Sequence, residues 1–321
     1  MVIVSNHLVI ANLVALIAST GWLTKLTLPS SQAVRVRNAF LLRRGRPEDV
    51  EWTPTTVPPD FNVERHSAPV AIEAAVRSAG VRQAGGDWPQ ACALVTMLLQ
   101  YWKSDGPIRA DLTSTYNGIV SGSGYCSDYV RVYLAAASGI GLFCRQWAFS
   151  FDGFGGHGHT FVEVYDRQRA KWIFLDVHNN VYAVRAGTEE LLGGMELRRA
   201  LLESSPIEFR AAGPGRLGFA NFDKLLAYFR RGAAQWYLWW GNDVITRDTT
   251  GFAGLLSLIS GRVAHRVTSA FHLPRLVVIA TDENEQEIRR MERLRVQVRT
   301  VVILIVGLIV LFGLQLWRGV L

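Results

Sequence analysis

From Thr300 to Trp317 the chain reads TVVILIVGLIVLFGLQLW, without one charged residue. About 18 apolar residues in helical form cover the roughly 30 Å hydrocarbon core of a bilayer. A helix that is apolar on every side finds no complementary partner in a small soluble domain, so 300–318 is expected to be a transmembrane helix. Trp317 and Arg318 fall where interfacial anchors stand. Residues 1–28 form a second hydrophobic segment, apolar over Leu8 to Leu23 but broken by Asn12, Ser19 and Thr20. No lysine or arginine precedes it, which fits a cleaved signal peptide poorly and a membrane segment better. Basic residues flank both segments on the inner side. Lys25, Arg35, Arg37, Arg43, Arg44 and Arg46 follow the first, and Arg289, Arg290, Arg293, Arg295 and Arg299 precede the second. The positive-inside rule then puts the intervening residues in the cytoplasm of an integral membrane protein.

Between these ends lies enough chain for a globular core. Of 321 residues, 49% are hydrophobic and 19% charged, which excludes a disordered chain. The net charge of +7 is basic, but much of the excess flanks the apolar segments. Basic residues are not interleaved with aromatics as a nucleic-acid surface requires, so the lipid bilayer, not nucleic acid, is the expected partner. Three cysteines, far apart, exclude a disulfide framework and suit a reducing compartment. No phosphate loop, Rossmann glycine pattern or zinc-finger spacing is present.

The middle divides by pattern. Residues 29–68, rich in Arg, Pro and Thr, read as an extended arm or linker. Residues 69–187 read as a folded core, 188–280 as a helical and aromatic-rich extension, and 281–299 as a charged helix running into the membrane span. Within the core, Val70 to Ser78 is expected to be helical. A second helix starts with Asp87 as cap and Pro89 in its first turn, and a third spans Tyr125 to Ser138. Phe143 to Ser150, His159 to Tyr165 and Trp172 to Asp176 have strand composition. The polar DRQRAK between the last two predicts an antiparallel hairpin. Helices followed by a meander of strands predict an α+β fold.

Cys126 follows a glycine-containing loop, SGSGY, and opens the third helix. A helix N-terminus favours a thiolate, and its free N–H groups stabilise a developing oxyanion. A nucleophilic cysteine needs a base and a group that orients the base. His159 starts one strand of the expected hairpin and Asp176 ends the other, so pairing of the two strands brings them face to face.

The stretches GYCSDYVRVYLAAASGIGLFCR and HTFVEVYDRQRAKWIFLD resemble the transglutaminase-like core of the papain-like cysteine enzymes. The similarity rests on Cys126 opening a helix, then Gly139, Ile140 and Arg145, then the H-x-x-V-E-V strand from His159, then W-x-x-L-D from Trp172 to Asp176. It covers roughly residues 85–185. It implies a helix bearing the cysteine packed on an antiparallel sheet bearing the histidine and aspartate. Cys126 would be the nucleophile, His159 the general base and acid, and Asp176 the orienting carboxylate. Trp88 and Trp102 are the candidates for a tryptophan that helps hold the oxyanion in some members. Thr160 and Phe161 stand where the family has a small residue and Trp, and Val177 and His178 stand where it has Pro after the aspartate. The step from Gly139 to Arg145 is also longer than usual. The resemblance implies a cysteine hydrolase or acyltransferase acting on amide or ester bonds through a thioester. Its substrate would be a protein, peptide or glycoconjugate, and it needs no cofactor.

Other readings stand beside this one. The fold could serve as an inactive binding or scaffold module at the membrane. His157 is an alternative base, and His157, His159, Asp176 and His178 together could form a metal site. Cys92 and Cys144 lie in apolar runs and read as core residues, and Glu163 as a strand-face or hairpin salt-bridge residue. WYLWW at 236–240 fits core, an interfacial belt or an aromatic wall for sugar or peptide, and the glycine-rich 152–158 fits a lid or a plain connection.

Overall fold

The computed structural model describes residues 2–27, 30–100, 106–108, 110–249 and 274–320. They fall into two compact units. One comprises Met1–Leu42, Asp152–His157 and Asp282–Leu321; the other comprises Arg43–Phe151 and Gly158–Thr281.

The larger unit is α+β and is built on an eight-stranded sheet. In chain order its strands are β1 (Leu42–Gly45), β2 (Cys144–Ser150), β3 (Gly158–Asp166), β4 (Lys171–Asp176), β5 (Val181–Arg185), β6 (Ile207–Ala211), β7 (Trp236–Trp239) and β8 (Leu276–Ile279). They lie side by side as β1-β8-β7-β2-β3-β4-β5-β6, and every junction from β8 to β6 is antiparallel. The expected β3–β4 hairpin forms, with Val162 opposite Leu175 and Tyr165 opposite Trp172.

The central strands are apolar on both faces, so both faces need a cover. Val162, Val164, Leu175 and Val177 pack into one core with α3 (Val70–Ser78), α4 (Asp87–Leu99), α5 (Leu112–Val120) and α6 (Cys126–Gly139). Trp147, Phe149, Phe161 and Phe174 pack into a second core with α7 (Gly194–Glu203) and α8 (Phe222–Gly232). A short α9 (Val244–Thr249) follows β7. Residues 188–249 are therefore not an appendage: they supply the second helical layer and two strands. Trp236, Tyr237, Leu238, Trp239 and Trp240 are all buried, and Trp236 stacks on Phe149 at 6.0 Å, so this aromatic run is core. Large rings fill that role because each removes some 150–250 Å² from water.

Two local expectations are corrected. Asp87 does not cap α4; Gly86, at φ 91°, holds that position. The Asp87 carboxylate instead accepts from the Arg167 backbone N–H at 2.9 Å and from its Nε at 2.8 Å, tying α4 to the β3–β4 turn. Residues 29–68 are not extended throughout, since Ser30–Leu41 is helical and β1 follows it. Ala33, Val36, Ala39 and Phe40 recur there at the i, i+3, i+4 spacing of a helix face, and the Pro-rich composition begins only further on.

The smaller unit holds α1 (Val2–Thr27), α2 (Ser30–Leu41) and α10 (Glu285–Val320). α1 and α10 are each long and apolar enough to cross a membrane. The charged 285–299 and the apolar 300–318 form one continuous helix. Asn12 Nδ2 donates to the Leu308 carbonyl at 3.2 Å and to Gln315 Oε1 at 3.1 Å, a polar link between the two apolar helices. Arg35 Nε donates to Gly153 O, and Asn38 Nδ2 to Phe154 O at 2.7 Å, which fastens the 152–157 loop to α2.

Candidate active site

Cys126 is the first residue of α6 and is half-buried. Gly124, at φ 112°, makes the turn into the helix; a Cβ there would press within 3.2 Å of the Tyr129 ring. Asp128 Oδ2 accepts from the Tyr125 N–H at 2.9 Å and so closes the first turn. The backbone N–H groups at this end have no partner within the helix, as at any helix start.

His159 is the second residue of β3, opposite Phe149 of β2. The residue before it has to be glycine, because a Cβ on Gly158 would run into the Phe149 carbonyl oxygen. Asp176 ends β4 and is fully buried. The β3–β4 register begins at Val162 with Leu175, so His159 and Asp176 stand just beyond the paired residues and meet diagonally. His159 Nε2 lies 2.7 Å from Asp176 Oδ2. The Cys126 side chain acts on the same imidazole and helps to raise it, while Nε2 is committed to Asp176. The structure thus brings Cys126, His159 and Asp176 together.

The electrostatics follow from burial and pairing. Burial alone would push His159 down, but Asp176 and then Cys126 outweigh it and raise the imidazole to about 10. Burial would raise Asp176, yet the His159 charge and bonds from His159 and Asn179 hold its carboxyl below the ordinary value. His178, whose ring lies 6.2 Å from His159, goes the opposite way, lowered to about 4 by burial and by the His159 charge. The rings of Phe149, Tyr228 and Phe229 stand 5.7–6.0 Å from His159 and shield it from water. Tyr228 Oη also donates to the Gly158 carbonyl at 3.3 Å.

The other candidates are placed elsewhere or otherwise employed. Trp88 packs edge-on against Tyr182 at 5.4 Å. Trp102 lies outside the described residues. His157 is exposed and pairs with Asp152 at 3.1 Å, in the smaller unit. Cys144 is buried and Cys92 half-buried; burial raises the Cys92 thiol to about 12 and Cys144 further still. Glu163 pairs across the β2–β3 hairpin with Arg145 at 2.6 Å, and Arg145 also lies 4.0 Å over the Trp172 ring. That places three of the motif residues in a structural lock. Among the described residues, no group of three His, Cys, Asp or Glu side chains could hold a metal ion.

Two residues at the site had not been anticipated. Asn179 contacts both Asp176 and His159, and its place in an Asp-x-x-Asn turn was a readable signal. Tyr228 comes from α8, more than fifty residues downstream, and nothing local in sequence pointed to it. No family profile matches this sequence, and neither a curated protein nor a solved structure is significantly similar to it.

Proposed function

We propose that this protein is a membrane-anchored, transglutaminase-like cysteine enzyme that cleaves or transfers the acyl group of an amide or ester. One observation carries the reading: a buried imidazole bonded to a buried carboxylate and coupled to a cysteine that opens a helix. In the reaction the Cys126 sulfur attacks the carbonyl carbon, and free N–H groups at the α6 start receive the oxyanion. His159 gives its proton to the departing amine or alcohol, and a thioester forms. Water or an acceptor amine then loses a proton to His159 and attacks the thioester, and the proton returns to the Cys126 sulfur. Asp176 keeps the proton on Nε2 and stabilises the imidazolium throughout. The substrate class is a protein, peptide or glycoconjugate. The chain is integral to the membrane through α1 and α10, with its larger unit on the cytoplasmic side, because the arginine clusters flank the inner ends of both helices.

Iodoacetamide alkylation of each cysteine across pH, in wild type and in His159→Ala, tests the reading. At neutral pH Cys126 should react more than about tenfold faster than Cys92 and Cys144, and lose that advantage without His159. Equal inertness of all three cysteines would end the enzyme reading and leave a membrane-tethered binding module.

A further inference from the structure

The Asp176 carboxylate has no contact with solvent, so every lone pair it uses must be satisfied by protein. His159 supplies one bond, to Oδ2. Asn179 supplies two: its side-chain Nδ2 donates to Oδ2 at 2.6 Å and its backbone N–H to Oδ1 at 3.1 Å. The same Nδ2 lies 3.3 Å from His159 Nε2, so it sits in the angle between carboxylate and imidazole. Asn179 is itself fixed from outside. Its carbonyl accepts from the Gly218 N–H at 3.2 Å, and Gly218 packs so closely that a Cβ there would collide with Asn179 Oδ1. Asn180 next to it is locked by paired bonds with the Gly213 backbone, at 3.0 and 3.1 Å.

We infer that Asn179 is a positioning residue for the proposed acyl transfer, acting through Asp176. Its amide can only donate toward Oδ2, which fixes the carboxylate plane and favours the ionised state. An ionised Oδ2 demands a proton on His159 Nε2, and that tautomer leaves Nδ1 for Cys126. Without the amide the carboxylate can rotate, gains a proton more readily, and orients the imidazole less well. The residue touches neither thiol nor substrate, and it rests on the acyl-transfer reading of this site.

The test uses the full chain in detergent and follows Cys126 alkylation by iodoacetamide from pH 4 to 10, with the melting temperature as a check on folding. Asn179→Leu should slow the neutral-pH rate by roughly ten- to a hundredfold, the loss expected for one charge-assisted bond, and move the acid limb of the profile upward. Asn179→Asp keeps the shape but sets a second carboxylate against Asp176. Its acid limb should move upward further, because two adjacent carboxyls cannot both ionise easily. Acid limbs that stay at the wild-type pH in both folded variants would overturn the inference, whatever happens to the rate. If Asn179→Leu does not fold, the Asn179→Asp profile alone decides. A wild-type Cys126 whose alkylation is slow and indifferent to His159→Ala would instead remove the acyl-transfer reading, and this inference with it.

Discussion

His159 and His178 lie with ring centroids 6.2 Å apart, yet their surroundings drive them in opposite directions. His159 is raised to about 10 because Asp176 and Cys126 outweigh its burial, and His178 is lowered to about 4 by burial and the neighbouring charge. Linkage turns this into a stability profile. The raised group contributes stability that is full below the unfolded-state value, about 6.5, and is lost as pH rises through 10. The lowered group stays neutral when folded but takes a proton when unfolded, so stability is lost as pH falls from about 6.5 toward 4. Below that, protonation of Asp176 removes more, since its folded-state value lies under the unfolded one. Stability to urea should therefore peak near pH 6–7. His178→Gln should flatten the fall between pH 6.5 and 4, and Asp176→Asn the fall between 6.5 and 10. A variant that leaves its own limb unchanged would show that the corresponding shift is absent.

At the scale of elements, the hairpin of β3 and β4 was legible because DRQRAK separates two short aromatic and β-branched runs. The helix opening at Cys126 was legible because glycines precede it and an acidic residue stands in its first turn. The meeting of Cys126, His159 and Asp176 followed from those two readings. The second helical layer was not legible, because α7 and α8 declare a face to bury without naming the sheet that receives it. Asn179 and Tyr228 were hidden for a related reason: which side chains surround a strand end depends on how distant elements return to it. The role of Arg145 was open in sequence too. It proves to be half of a buried pair with Glu163, where Gly194 N–H and Trp147 Nε1 complete the carboxylate's bonds and Val50 O takes Arg145 Nη1 at 2.7 Å. Removing one member leaves an uncompensated buried charge. Glu163→Leu should cost about 3–5 kcal/mol in chemical unfolding, and the double variant Arg145→Met with Glu163→Leu should recover a large part of it. Equal costs for the single and double variants would show that the pair is not coupled.

For the whole molecule, the arrangement of helices about the bilayer governs which compartment the candidate site can serve. α1 is the less apolar of the two long helices, but its Asn12 is buried and donates to Leu308 O and Gln315 Oε1 on α10. An amide in hydrocarbon is costly unless it finds such partners, and a partner near residues 308–315 places Asn12 at the depth of the apolar run. On the proposed topology α1 is a full span, and the arginine clusters after α1 and before the apolar part of α10 share one side. Both ends of the chain should then lie outside the cytoplasm. Epitope tags at residues 1 and 321 should both be digested by protease added to intact cells, while a membrane-impermeant maleimide should reach Cys126 only after permeabilisation. If the N-terminal tag is protected and the C-terminal tag is not, α1 does not span, and the Asn12 bonds form at the membrane edge. If Cys126 is labelled in intact cells, the charge rule is reversed for this chain, and substrates outside the cytoplasm become the ones to test against the candidate site.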